Sequence, residues 1–295
     1  MKTLYVSDMD GTLLGADSTV SPHSAEIISR LSRRGALITV ATARTPATVV
    51  PLLADTYTSI PAIVMTGAAM WNRATASYEE IHFMPVELER QVERECNSAG
   101  ICPFVYTLPD DNSGIMQVYH ALPQLNHIED GFYQQRRDLR LKHFNLGSLP
   151  PESVVGRKIL YFAMGPKQGI YEAGQRLSEA TECAVSYYPD IFNPELALLE
   201  VFAPGVSKAA AIESLKRRTG AERLVVFGDN LNDLSMLAIA DEAVAMENAL
   251  PEVKEAARRV IGPNTADAVA EFIQSQFPSV NKYWETGSQQ SEDLR

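Results

Sequence analysis

Cysteine is scarce in this 295-residue chain: Cys96, Cys102 and Cys183 form an odd, scattered set with no C-x-x-C spacing. That excludes a dense disulfide framework and fits free thiols in a reducing compartment. Basic residues are also in deficit, 26 against 37 acidic, giving a formal net charge of −11. A broad nucleic-acid surface needs clustered Lys and Arg to displace counterions, so no such partner is expected. No stretch approaches the roughly 18 uninterrupted apolar residues of a membrane span. Residues 1–11 run straight into an acidic motif rather than through the basic and apolar regions of a leader. These absences lead to the expectation of a cytoplasmic protein with no membrane partner. His120, His127 and His143 lack metal-ligand spacing and read as core or surface residues.

What is present is ordinary globular material, 45% hydrophobic and 21% charged. At about 150 residues per domain the length allows two domains. Residues 3–7, 36–41 and 61–65 read as strands, alternating with amphipathic helices at 22–34, capped by Ser21, and 46–54. Near-continuous apolar runs of this kind suit strands covered on both faces, hence a βαβαβ unit with a parallel sheet. The rhythm returns after Lys208: helix to 217, strand 223–227, helix 232–240, strand 242–246, and helices at 251–258 and 266–276. Between these halves the pattern changes to strands at 103–107, 115–119, 158–164, 184–188 and 197–202 with helices near 125–137 and 168–180. The expected fold class is therefore α/β: a Rossmann-like doubly wound parallel sheet, residues 1–82 and 198–276, with an α+β cap inserted at 83–197. Residues 277–295, polar and aperiodic, read as a flexible tail.

Four segments carry the chemistry. In the first, Asp8 and Asp10 leave an apolar strand and enter a Gly-Thr turn. Asp-x-Asp-Gly is also a common turn sequence, but paired carboxylates at a strand end call for a cation. Carboxylate and carbonyl oxygens are what magnesium takes. So neutralised, one aspartate can attack an electrophile while the other handles a proton. In the second, Thr42 and Arg44 follow a strand at the sheet edge where open α/β sheets bind ligands. The Thr42 hydroxyl can donate to a phosphate oxygen without adding charge. Arg44 is open to two roles, contact with substrate or cap, or a surface ion pair.

In the third, Lys208 sits at a helix start, where the dipole disfavours an ammonium, so it wants a nearby anion. In the fourth, Gly228, Asp229, Asn232 and Asp233 follow an apolar strand. One such residue makes a helix cap; the remainder offer a metal ligand and its supporting shell. Phe104, Tyr106, Tyr119, Tyr187, Tyr188 and Phe192 are cap aromatics at strand spacing, read chiefly as core and otherwise as pocket walls.

Together the four segments resemble the signature of the haloacid dehalogenase (HAD) superfamily. Asp8-Met9-Asp10-Gly11-Thr12 is similar to its D-x-D-G-T motif, Thr42 to its second, Lys208 to its third, and Gly228-Asp229-x-x-Asn232-Asp233 to its acidic fourth. The insert between the second motif and the lysine resembles the large α+β cap of the Cof-type subfamily. The likeness departs at Ala43, where Gly is usual, at Thr66, where Asn is usual, and at Glu247, where Gly is usual.

The resemblance implies a hydrolase of phosphate monoesters that works through an aspartyl-phosphate. It makes Asp8 the nucleophile, Asp10 the acid and base, and Lys208 a catalytic cation. Thr42, Arg44 and Asn232 would bind substrate, with Asp8, Asp10, Asp229 and Asp233 around Mg2+. The implied substrate is a small phosphorylated metabolite, a sugar phosphate above others. A phosphomutase of the same fold and a non-catalytic phosphometabolite-binding protein are the alternatives.

Overall fold

Strand β1 (Thr3–Ser7) passes through a turn, Met9–Leu13, to helix α1 (Pro22–Arg33), followed by β2 (Leu37–Val40), α2 (Pro46–Leu52) and β3 (Ala62–Val64). The computed structural model describes residues 1–111, 113–190 and 193–277, so Phe192 and the expected tail from 278 onward lie outside the described residues. Ser21 begins α1 as expected: its hydroxyl accepts the Ser24 N–H at 3.0 Å. Pro22 takes the first helical position, where a missing N–H costs nothing. Beyond β3 the chain adds a small antiparallel ribbon with β4 (Ala69–Asn72) and β5 (Ser77–Glu79). Elements of three or four residues are too short for periodicity to register.

Next come α3 (Val86–Ser98), β6 (Phe104–Thr107), β7 (Met116–His120), α4 (His127–Gln134), β8 (Lys142–Leu146), β9 (Lys158–Pro166), α5 (Lys167–Ala180), β10 (Ala184–Pro189) and β11 (Leu196–Phe202). Their strands form one sheet in the order β10-β11-β9-β6-β7-β8, antiparallel except for the β7–β8 pair. Strand β8 went unread in the sequence because its mixed Lys-His-Phe-Asn-Leu run has no clean apolar alternation. Strand β11 pairs with β9 and β10 along its length, so the expected return to the core at residue 198 falls inside the cap sheet.

The chain then returns through α6 (Lys208–Thr219), β12 (Arg223–Gly228), α7 (Leu234–Ala238), β13 (Glu242–Met246), α8 (Pro251–Ala256), β14 (Arg259–Ile261) and α9 (Ala268–Ser275). The core sheet is parallel, in the order β14-β13-β12-β1-β2, and an Ala41–Ile63 bridge extends it to β3. The helix expected from 232 opens instead as the tight turn Leu231–Asp233. There Asn230 accepts the Leu231 N–H at 2.7 Å and Asp233 accepts the Asn230 N–H at 3.2 Å. Helix α9 starts two residues later than expected. Asp267 takes a left-handed conformation, φ 55°, and its carboxylate accepts the hydroxyls of Ser21 and Ser24.

Two-residue alternation divides the cap sheet into two faces. Val105, Tyr161, Ala163, Leu199 and Val201 join Leu88 and Val92 of α3 and Ile170 and Leu177 of α5 in the cap's own core. Phe104, Tyr106, Leu160 and Phe162 point the other way and belong to the cluster that includes the parallel-sheet core. The aromatic rings of Phe132 on α4 and Phe144 on β8 cover that second face, Phe132 at 5.4 Å from Phe104 and 5.0 Å from Phe162. No helix among the described residues is long and apolar enough to cross a membrane.

Candidate active site

Strand register assembles the site. Ser7, the last residue of β1, stands opposite Phe227 on β12 and Val40 on β2. Because all three strands run the same way, Asp8, Asp229 and Thr42 emerge together at the carboxyl edge. The Asp8 N–H reaches the Phe227 carbonyl at 3.0 Å, which ties the first motif to the fourth. Two glycines make the crowding possible. Gly11 turns with φ +75°, and a Cβ there would lie 2.3 Å from an Asp229 carboxylate oxygen; one at Gly228 would lie 2.7 Å from the Asp233 Cβ.

Lys208 arrives from the cap side as the first residue of α6. Ser207 caps that helix by accepting the Ala210 N–H at 3.1 Å. The unfavourable position at the dipole is answered by two carboxylates: Lys208 Nζ donates to Asp8 Oδ1 at 2.6 Å and to Asp233 Oδ1 at 2.7 Å. All three side chains are buried. Asp233 Oδ2 accepts the Asp229 N–H at 3.0 Å and the Asn230 N–H, so this carboxylate is fully engaged in holding its neighbours. Thr12 donates to Asp229 Oδ1 at 2.8 Å.

Burial, and then the charge of Asp233, push the Asp8 carboxyl up to about 8, against the pull of Lys208. Burial likewise lifts Asp229 to about 6. Burial draws the Lys208 ammonium down, but Asp8 and Asp233 outweigh it and hold Lys208 above its ordinary range. Asp8, Asp229 and Asp233 bring carboxylate oxygens within 4.8 Å of one another, and among the described residues one ammonium, that of Lys208, answers them. This hard, all-oxygen set with excess negative charge fits a divalent cation of the magnesium kind.

The other sequence-designated residues are placed unequally. Thr42 is buried, its hydroxyl accepting the Arg44 N–H at 3.1 Å. Arg44 forms a bidentate pair with Asp10, at 2.7 Å and 2.6 Å, so its guanidinium sits at the reaction edge. Asn232 is exposed on the turn before α7. Three contributors were not assigned roles in the sequence. Thr12 lay within the first motif and Asn248 next to Glu247, where its Nδ2 donates to the Gly11 carbonyl at 2.8 Å. Gly67, φ +96°, lets its turn pass so close to Ser207 that a Cβ would meet the Ser207 carbonyl at 2.3 Å. Beside it Thr66 holds φ 56°, and its buried hydroxyl has no hydrogen-bond partner among the described residues.

A family model for haloacid dehalogenase-like hydrolases matches residues 5–273. The chain is 27% identical over 276 residues to pyridoxal phosphate phosphatase YbhA of Escherichia coli, covering 92% of this chain and 97% of that protein. It is 24% identical over 286 residues to the 5-amino-6-(5-phospho-D-ribitylamino)uracil phosphatase YitU of Bacillus subtilis, covering 93% and 97%. A solved haloacid dehalogenase-like hydrolase from Bacteroides thetaiotaomicron shares the fold at a TM-score of 0.73 and 21% identity, covering 94% of this chain and 100% of that one. With the motif residues gathered at one sheet edge beneath an inserted α+β cap, the chain belongs to the haloacid dehalogenase-like hydrolases, as a phosphatase of the Cof type.

Proposed function

We propose that this protein is a magnesium-dependent phosphatase that hydrolyses a small phosphorylated metabolite, a sugar phosphate or a similar monoester, through an aspartyl-phosphate on Asp8. The observation that carries the reading is the buried Asp8 carboxylate, held at 2.6 Å by Lys208 at the open edge of a parallel sheet, with Asp10 two residues away. Two relatives of comparable length are named for pyridoxal phosphate and for a phosphoribityl compound, both small phosphate monoesters.

In the first step an Asp8 oxygen forms a bond to phosphorus as the bond to the leaving oxygen breaks, and Asp10 supplies that oxygen's proton. In the second, Asp10 takes a proton from water, whose oxygen attacks phosphorus and releases Asp8 with inorganic phosphate. Lys208 neutralises the nucleophile before the dianion arrives and then faces the equatorial oxygens, where charge develops. Thr42 and Asn232 supply uncharged donors on the same edge. Arg44 keeps Asp10 aimed and must shift as that carboxyl exchanges its proton. Asp233, saturated by Lys208 and two N–H groups, fixes the geometry of the rest. Asp8, the Asp10 carbonyl and Asp229 would hold Mg2+, which when bound offsets negative charge on the transferring phosphoryl group.

The test is Asp8→Asn assayed on p-nitrophenyl phosphate with and without Mg2+. The expected loss is at least about 10⁴-fold, the scale seen when a nucleophile is removed, with the folded circular dichroism spectrum retained. Activity within tenfold of the wild type would sink the nucleophile assignment.

A further inference from the structure

Three lysines are buried among the described residues, and two of them are fully compensated. Lys208 holds Asp8 and Asp233, and Lys158 holds Glu89 at 3.0 Å and Glu93 at 2.7 Å. Lys142, only 5% exposed, has no carboxylate at ion-pair distance among the described residues. Its ammonium instead lies 5.1 Å from the centre of the Tyr106 ring and 5.8 Å from that of Phe144. Ring faces attract a cation, but weakly beside the cost of taking an ammonium out of water. Glu200, a buried carboxylate on the same face, stands on β11, four strands from β8, or about 19 Å at the usual strand spacing. A second cation shares the deficit. Arg136, partly buried beyond α4, stacks 4.2 Å from the Phe132 ring and, among the described residues, donates only to the Phe132 carbonyl and the Gln135 side chain.

Arg136 links this pair to the reaction centre. Lys142, Phe144 and Tyr106 lie on the sheet face covered by α4, the face that joins the cluster shared with the parallel core. Arg136 stands close enough to Asp10 and Arg44 for their charges to act on it, and Lys142 close enough to feel Arg136. Burial and the Arg136 charge together bring the Lys142 ammonium down to about 7, the cost that a bound anion would remove.

We propose that Lys142 and Arg136 form an anion-recognition site in the cap that binds a carboxylate or a second phosphate on the leaving group of the substrate. The inference rests on the phosphatase reading and narrows it. The substrate class becomes monoesters whose departing alcohol carries its own negative charge at the end remote from the transferred phosphate. A wholly neutral leaving group would leave two desolvated cations unanswered. Tyr106 and Phe144 supply the apolar walls that strengthen a charge pair by keeping water out.

Two matched pairs of probes test it: 3-phosphoglycerate against glycerol 3-phosphate, and fructose 1,6-bisphosphate against fructose 6-phosphate. The wild type should favour the charged member of at least one pair. Lys142→Met should lower that preference in kcat/KM by about thirtyfold, as expected for one partner of a desolvated charge pair. The pair that responds tells carboxylate from phosphate. Ratios near one in the wild type, or a preference that K142M retains, would overturn the site. Absence of Mg2+-dependent hydrolysis of all four probes and of p-nitrophenyl phosphate would instead overturn the phosphatase reading itself. Should K142M fail to fold, the wild type decides alone. Glycerate must inhibit p-nitrophenyl phosphate hydrolysis at least about tenfold more tightly than glycerol, its uncharged counterpart, a difference of one charge contact. Equal inhibition overturns the proposal.

Discussion

In the core, three buried or half-buried carboxylates, Asp8, Asp229 and Asp233, lie about the ammonium of Lys208; on the cap face, Lys142 and Arg136 have no carboxylate at ion-pair distance among the described residues. The two clusters carry opposite excess charge. An acidic cluster short of positive charge suits a metal ion, and a pair of unanswered cations suits an anionic ligand. A phosphate ester bound with its metal would supply both. The difference also sets what each region can tolerate, because the core acids are cross-linked by hydrogen bonds whereas the cap cations rest against rings.

The sharpest way to break this contrast is to remove the ammonium that bridges Asp8 and Asp233. Lys208→Met should abolish turnover, by on the order of 10³-fold for loss of a charge stabiliser, and should destabilise the fold by about 3–5 kcal/mol, since it strands buried partners. Urea denaturation with phosphate-release assays would measure both. If K208M matches the wild type in stability, the Asp8–Lys208–Asp233 bridge is not holding the core together. Met at Lys142 should act in the reverse sense on stability, because there the charge itself is the uncompensated element.

That asymmetry parallels how much of each region could be read from sequence. Asp8, Thr42 and Asp229 were legible because each follows a short apolar strand, and parallel register then forces strand ends together, while Lys208 was legible from its place at a helix start. Their pairing with one another was not legible. Nothing local says that Lys208 will bridge Asp8 and Asp233, which lie 200 and 25 residues away. Arg44 illustrates the limit: both open roles were plausible, and only the turn at Gly11 brings the Asp10 carboxylate within its reach. In the cap, Lys142 passed unremarked because β8 itself was unread. A lysine in an unassigned stretch is taken as solvated, and its burial depends on rings contributed by Tyr106, thirty-six residues earlier, and Phe144. Asn248 and Gly67 were invisible for the same reason, since a loop-bracing contact has no periodicity.

A smaller effect sharpens the cap side of the comparison. The Lys142 ammonium is brought down to about 7 by burial and by Arg136, while its other neighbours there, the Tyr106 and Phe144 rings, carry no charge. The unfolded chain therefore binds more protons than the folded one between about pH 7 and the ordinary lysine value. The sign follows: the folded state bears the full penalty below pH 7 and sheds it as pH rises. The wild type should gain about 2 kcal/mol relative to K142M between pH 6 and pH 9. Chemical denaturation at the two pH values reads the difference, and a pH-independent gap would mean that Lys142 keeps an ordinary, solvated ammonium.

The smallest effect separates bracing from chemistry in the core. Asn248 donates to the Gly11 carbonyl at 2.8 Å while its own oxygen accepts the Asn264 N–H at 2.9 Å, and Asn264 in turn donates to the Leu14 carbonyl at 2.7 Å. The chain of contacts grips the middle and the far end of the turn that carries Asp10 and Thr12. Because Asn248 is exposed, Asn248→Ala should cost no more than about 1 kcal/mol. The turn aims the proposed acid and base, however, and misplacement there acts on the rate, so kcat should fall by roughly tenfold with KM little changed. Asn248→Asp keeps the acceptor for Asn264 and loses the donor to Gly11, so it should match the alanine variant. If N248D retains wild-type kcat, the Gly11 contact does not position Asp10, and the turn is held by its own backbone alone.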